Sequence, residues 1–110
     1  MANLTLQEVC KFTGVSRRAI QGYEKAGLVS ATERNERGHL LYSIESQERI
    51  KLIKLFQQIG FSIKDIQKLI DAPKPVLKDT LEKRIEELKG RKEEIDVLIE
   101  KVYQFIGKLS

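Results

Sequence analysis

Apolar residues return at every third or fourth position through most of this 110-residue chain, and where the rhythm breaks, a glycine, a serine or a proline stands in the gap. Leu6, Val9, Cys10 and Phe12 form a first stripe. Thr5 and Glu8 frame its start as a capping box and Gly14 closes it, so the spacing predicts a helix over about 5–13. Ser16 is placed to cap a second helix that runs to about Ala26, packed through Ala19, Ile20 and Tyr23. Gly27 supplies the left-handed residue that stops it. Two short helices joined by a tight turn with glycine form a helix-turn-helix.

The stretch "LVSATERNERGHLLYS", residues 28–43, has apolar or β-prone ends and a polar centre at Asn35-Glu36-Arg37-Gly38, the pattern of a short hairpin. Ser43 then caps a third helix over roughly 44–58, with Ile50, Ile53, Phe56 and Ile44 turned inward and Gly60 at its end. Ser62 and Asp65 repeat the capping logic for a fourth helix through Ile63, Ile66, Leu69 and Ile70, which "DAPKP" terminates.

Beyond Val76 the pattern changes. Leu81, Ile85, Leu88, Lys92, Ile95, Ile99, Val102, Ile106 and Leu109 alternate four and three residues apart, a coiled-coil seam over four heptads with one polar member. Leu81, Leu88, Ile95, Val102 and Leu109 take d positions and the others a positions, and Lys92 at an a position sets register at some cost in stability. A lone helix folded back on the head is the alternative, but so small a head does not cover so long a stripe. A partner chain is expected. The predicted organisation is therefore a head over 1–72, a proline-containing linker over 73–76 and a dimerisation helix over 77–110.

Composition narrows the possible functions. A third of the residues are charged, tryptophan is absent, and no apolar run reaches the roughly 20 residues of a membrane helix. The first residues lack the basic and apolar regions of a signal peptide, so the expectation is a cytoplasmic protein with no membrane role. Residues 1–75 hold 12 Lys/Arg against 8 Asp/Glu, whereas 76–110 hold 8 against 8. The whole +4 excess lies in the first two-thirds of the chain, where an acidic partner such as nucleic acid would dock. With one cysteine, Cys10, read as a small core residue, and one histidine, His39, neither a metal site nor a catalytic pairing is readable. No cofactor and no enzyme activity are expected.

The second helix carries the nucleic-acid signal. Arg17 and Arg18 lie in its first turn, where base-edge contacts arise in helix-turn-helix docking and where free amides also favour a phosphate. Arg34, Asn35 and Arg37 gather at the hairpin tip, giving a wing a second basic contact.

At these residues the chain resembles a known family. "TLQEVCKFTGVSRRAIQGYEKAGLV", "RGHLLYS" and "ERIKLIKLFQQIGFSIKDIQKLI" are similar to the DNA-binding head of the mercury-resistance-regulator (MerR) family, and the heptads resemble its dimerisation helix. The resemblance implies a mainly α fold: a winged helix-turn-helix head with a β-hairpin wing, followed by a long coiled-coil helix that joins two heads antiparallel. It implies a homodimer on a palindromic promoter, distorting double-stranded DNA so that RNA polymerase engages both promoter boxes. Indirect readout would then count as much as base contacts. The DNA-contacting set is Ser16, Arg17, Arg18, Gln21 and Tyr23 on the helix with Arg34, Asn35, Arg37 and His39 on the wing.

Two places depart from the family pattern. Gln21-Gly22 stands where Arg-Tyr is usual, and His39-Leu40 where the wing usually has Tyr-Arg, so several phosphate contacts implied by the family have no counterpart. Gly22 falls mid-helix, where it costs about 1 kcal/mol relative to alanine. The expectation is that the bare position admits a backbone, either the phosphate strand or the neighbouring wing, with drift at a surface position as the alternative. A head that has lost DNA affinity and serves as a protein-interaction module is the competing function.

A coiled coil of about 30 residues is about 45 Å long, the right order to hold two reading helices one DNA turn, about 34–36 Å, apart. Orientation is open from the residues: a parallel pair sets Arg91 against Asp96 favourably but Arg84 against Lys89 unfavourably. The sequence also leaves open the operator, the sign of regulation and any effector segment.

Overall fold

The computed structural model describes residues 3–109. The chain runs β1 (Leu4–Thr5), α1 (Leu6–Thr13), α2 (Arg17–Lys25), β2 (Glu33–Arg34), β3 (Leu40–Tyr42), α3 (Ile44–Gln58), α4 (Ile63–Leu69) and α5 (Lys74–Leu109). It divides into two compact units, residues 1–72 and 73–110.

In the first unit every helix starts on the cap its sequence announces. Thr5 Oγ1 accepts from the Glu8 amide at 3.3 Å while Glu8 Oε1 accepts from the Thr5 amide at 3.0 Å. Those hydrogen bonds hold the Glu8 carboxyl below its ordinary pKa. Ser16 and Ser43 cap α2 and α3, and Ser62 with Asp65 closes a second capping box at α4. Two helices end alike. The Gly27 amide donates to the Glu24 carbonyl and Leu28 to Tyr23; Gly60 donates to Gln57 and Phe61 to Phe56. With φ of 75° and 104° the two glycines adopt the left-handed turn that this closure requires. The chain then reverses with an apolar residue, buried Leu28 or half-buried Phe61, folded back on the helix.

The hairpin forms with Glu33 opposite Leu41 and Arg34 opposite Leu40. A third strand was not expected: β1 pairs antiparallel with β3, Leu4 opposite Tyr42, giving the order β1-β3-β2. Under this sheet and between the helices lies one core of Val9, Val15, Ile20, Tyr23, Tyr42, Ile50, Ile53, Phe56 and Ile66, each at most 2% exposed. Its one buried polar side chain among the described residues, Gln47, donates to the Tyr42 carbonyl at 2.9 Å. Cys10 and Ile44 are only half-buried. Phe12 is 56% exposed, with the Lys51 ammonium 4.1 Å from its ring centre.

The second unit is one helix of 36 residues. It begins at Lys74, so residues 74–76, expected in the linker, are helical instead. Pro75 falls in the first turn, where an amide has no intrahelical acceptor to lose, and the Pro73 carbonyl accepts from Val76 and Leu77. Along its first half run surface pairs one turn apart, Lys78–Glu82, Lys83–Asp79, Arg84–Glu87 and Lys89–Glu86. None of its described residues is buried. Ile85, Ile95, Ile99, Val102 and Ile106 of the seam are 48–57% exposed. No helix among the described residues is long and apolar enough to cross a membrane.

Candidate nucleic-acid interface

Helix α2 is held at one end and open at the other. At its C-terminal end the Tyr23 hydroxyl donates to Gln57 Oε1 at 2.6 Å, Gln67 Nε2 donates to the Ala26 carbonyl at 2.8 Å, and Arg49 Nε donates to the Leu28 carbonyl. Tyr42 adds a fourth tie from the wing, its hydroxyl donating to Glu24 Oε1 at 2.5 Å. Burial, reinforced by that carboxylate, drives the Tyr42 hydroxyl well above its ordinary pKa, so it stays a donor. At the N-terminal end Ser16, in extended conformation, accepts from the Ala19 amide at 3.1 Å and leaves the first-turn amides directed outward. Arg17, Arg18 and Gln21 are exposed there.

The wing tip is built by Asn35. Its side-chain oxygen accepts from the amides of Arg37 at 2.9 Å and His39 at 3.0 Å, and its backbone exchanges hydrogen bonds with Gly38 and His39. Arg34 Nη1 donates to the Gly38 carbonyl at 2.6 Å. The tip is therefore shaped by its own polar residues, and Arg37 projects from it exposed. Between wing and helices lies an open cleft of about 370 Å³ lined by Thr5, Leu6, Gln7, Arg17, Gly38, His39 and Leu40. Arg17 and His39, chosen from separate stretches of sequence, thus line one concavity.

Two expectations change. Tyr23, placed among the DNA contacts, is 2% exposed with its hydroxyl bonded to Gln57. It sits three residues after buried Ile20 on the same helical face, and burial raises its pKa. The wing is also not what Gly22 accommodates, because a Cβ at that position would meet nothing within 4 Å. Gln7, exposed in the first turn of α1, lines the cleft and was missed, since one polar residue beside an apolar stripe reads as ordinary solvated surface.

Residues 4–73 match the model of the MerR HTH family regulatory proteins, and residues 47–103 match the family model described as MerR, DNA binding. The chain is 38% identical over 81 residues to the nodulation protein NolA of Bradyrhizobium diazoefficiens, covering 74% of this chain and 34% of NolA. With the mercuric resistance operon regulatory protein of Bacillus cereus it shares 36% over 63 residues, 57% of this chain and 48% of that one. This chain thus spans half or less of the length of these curated relatives. Among solved structures it is similar to the N-terminal part of the multidrug transporter activator of Bacillus subtilis, with a TM-score of 0.70 and 27% identity over 94% of this chain and 97% of that one.

Proposed function

Because the chain belongs to the MerR family of helix-turn-helix regulatory proteins, we propose that it binds promoter DNA as a homodimer and regulates transcription. In this reading α2 enters the major groove by its first turn, Arg17 and Arg18 meeting base edges or phosphates. Arg37 at the wing tip neutralises a backbone phosphate alongside, and Arg34 adds charge behind it. The observation that carries the reading is the cleft that Arg17 shares with the wing residue His39. A cleft shared by helix and wing supports a single stretch of duplex meeting both basic elements.

The apolar seam of α5 joins two chains antiparallel through Leu81, Ile85, Leu88, Lys92, Ile95, Ile99, Val102, Ile106 and Leu109, giving the dimer the symmetry of a palindrome. Bending or untwisting of the promoter spacer follows from holding two heads at fixed separation, and RNA polymerase responds to the DNA so shaped. The protein works in the cytoplasm, without a catalytic role.

Binding to a pool of random duplex DNA at two salt concentrations, followed by selection and sequencing, tests this. An enriched inverted repeat supports it. Salt-sensitive binding without a motif removes the sequence-reading claim, and no binding at either salt replaces it with a protein-interaction module.

A further inference from the structure

The apolar seam of α5 does not choose its own alignment. Its a and d positions recur every seven residues, so sliding one helix by a heptad rebuilds a similar core. Discrimination falls to the flanking e and g positions, which change character along the helix: charged at Arg84, Lys89, Arg91 and Asp96, then apolar or aromatic at Leu98 (58% exposed), Tyr103 (65%) and Phe105 (60%).

Resting on the dimer reading above, we propose that two copies of α5 pair antiparallel in one alignment, Lys89 of each chain facing Asp96 of the other. Leu81 then lies opposite the partner's Ile106, Ile85 opposite the partner's Val102, Leu88 opposite the partner's Ile99 and Lys92 opposite the partner's Ile95. In an antiparallel pair e positions face e positions and g positions face g positions. This alignment gives two Lys89–Asp96 attractions by symmetry. It also lays the stems of Arg84 and Arg91 over the partner's Phe105 and Leu98, a use of arginine that covers apolar surface while the charge stays wet. No like charges face each other.

The other alignments fail on the same residues. Sliding one heptad towards the C-terminus sets Asp96 against the partner's Asp96. The opposite slide sets Lys89 against the partner's Lys89 and Arg91 against the partner's Arg91. A two-heptad slide towards the C-terminus brings Leu98 onto the partner's Phe105 but gives up both Lys89–Asp96 attractions, setting Asp96 against the partner's Tyr103. A parallel pair stacks Lys92 on the partner's Lys92 in one a layer and Arg84 on the partner's Lys89. Lys89 is free to turn towards a partner: its side chain is 66% exposed and only loosely paired, Nζ lying 3.5 Å from Glu86 Oε1. Lys92 lies one turn before Asp96, next to the symmetry axis, so the polar interruption of the seam and the charge pair form one node that fixes register.

Sedimentation equilibrium of the full chain tests this with Lys89→Glu, Asp96→Lys and the double variant, helicity being followed by circular dichroism. Each single change is expected to raise the dimer Kd on the order of tenfold, and the double change to restore it within about threefold. A second measurement, Leu81→Cys with Ile106→Cys in a Cys10→Ser background, is expected to give an interchain disulfide. A dimer with no rescue and no cross-link overturns the alignment and leaves the dimer standing. Tighter association of Lys89→Glu indicates a parallel pair and overturns it too. A wild-type chain that stays monomeric overturns both.

Discussion

The Tyr42 hydroxyl, on the last strand of the wing, donates a 2.5 Å hydrogen bond to Glu24 Oε1 near the end of helix α2. One contact between residues 18 apart in sequence thereby fixes the wing against α2. Tyr42→Phe keeps the buried ring and removes only this bond to a charged acceptor. Glu24 is half-buried, so water replaces part of the loss, and a decrease of about 1–2 kcal/mol in unfolding free energy is expected. Urea denaturation monitored by circular dichroism measures it; an unchanged midpoint would show that the wing is held by packing alone.

Arg17 and Arg37 are expected to fail differently. Where Arg17 reads a base, Arg17→Ala costs about 1–3 kcal/mol and relaxes specificity at one position. Arg37→Ala lowers affinity evenly across sequences and reduces the salt slope by about one charge. Titrations of selected and scrambled duplexes over a range of salt separate the two, and an unaltered slope for Arg37→Ala strikes the wing from the phosphate contacts.

At Gly22 an added methyl group meets open space within the chain. Gly22→Ala is therefore expected to stabilise the head by about 1 kcal/mol through helix propensity. DNA binding is expected to weaken if the bare backbone lies against the phosphate strand. A stabilised variant with unchanged affinity would leave the glycine without a role in binding.

Asp71 and Arg49 meet through two parallel bonds of 2.9 Å, and Arg49 also donates to the Leu28 carbonyl. The guanidinium holds the Asp71 carboxyl below its ordinary pKa of 3.8. A folded pKa below the unfolded one contributes stability above the unfolded value and loses it as pH falls through the folded one. The wild type is accordingly expected to exceed Asp71→Asn in stability at pH 6, with the gap narrowing only once the pH falls below the ordinary carboxyl value of 3.8. Thermal melts across that range follow it; a constant gap would mean that Asp71 acts by its shape alone.

How far these features could be read beforehand depends on how local their causes are. The caps at Thr5, Ser16, Ser43 and Ser62 act within one turn, and the helix starts they predict appear where expected. Strand β1 is two residues long and exists only because Tyr42 and Leu41 lie opposite it, so no pattern within residues 4–5 could announce it. The clamp on α2 draws on Arg49, Gln57 and Gln67, polar residues on later helices whose periodicity marks them only as surface. Tyr23 was legible twice over: spacing from Ile20 points it inward, while likeness to a family points it at DNA, and packing prevails. The basic residues at 17, 18 and 37 stand out by charge and position alone, and all three are exposed in the fold.

Because the ties on α2 gather at Tyr23, Glu24 and Ala26 and its inward face is anchored by Ile20, the exposed side chains of Arg17, Arg18 and Gln21 carry almost none of the burden of keeping the head folded. Residues 17, 18 and 21 are then free to diverge, since changes at exposed sites distant from the core add to stability independently and by little. If α2 meets DNA as proposed, a lineage could retarget such a head to a new operator by successive substitutions on this one exposed face, each intermediate remaining a folded protein.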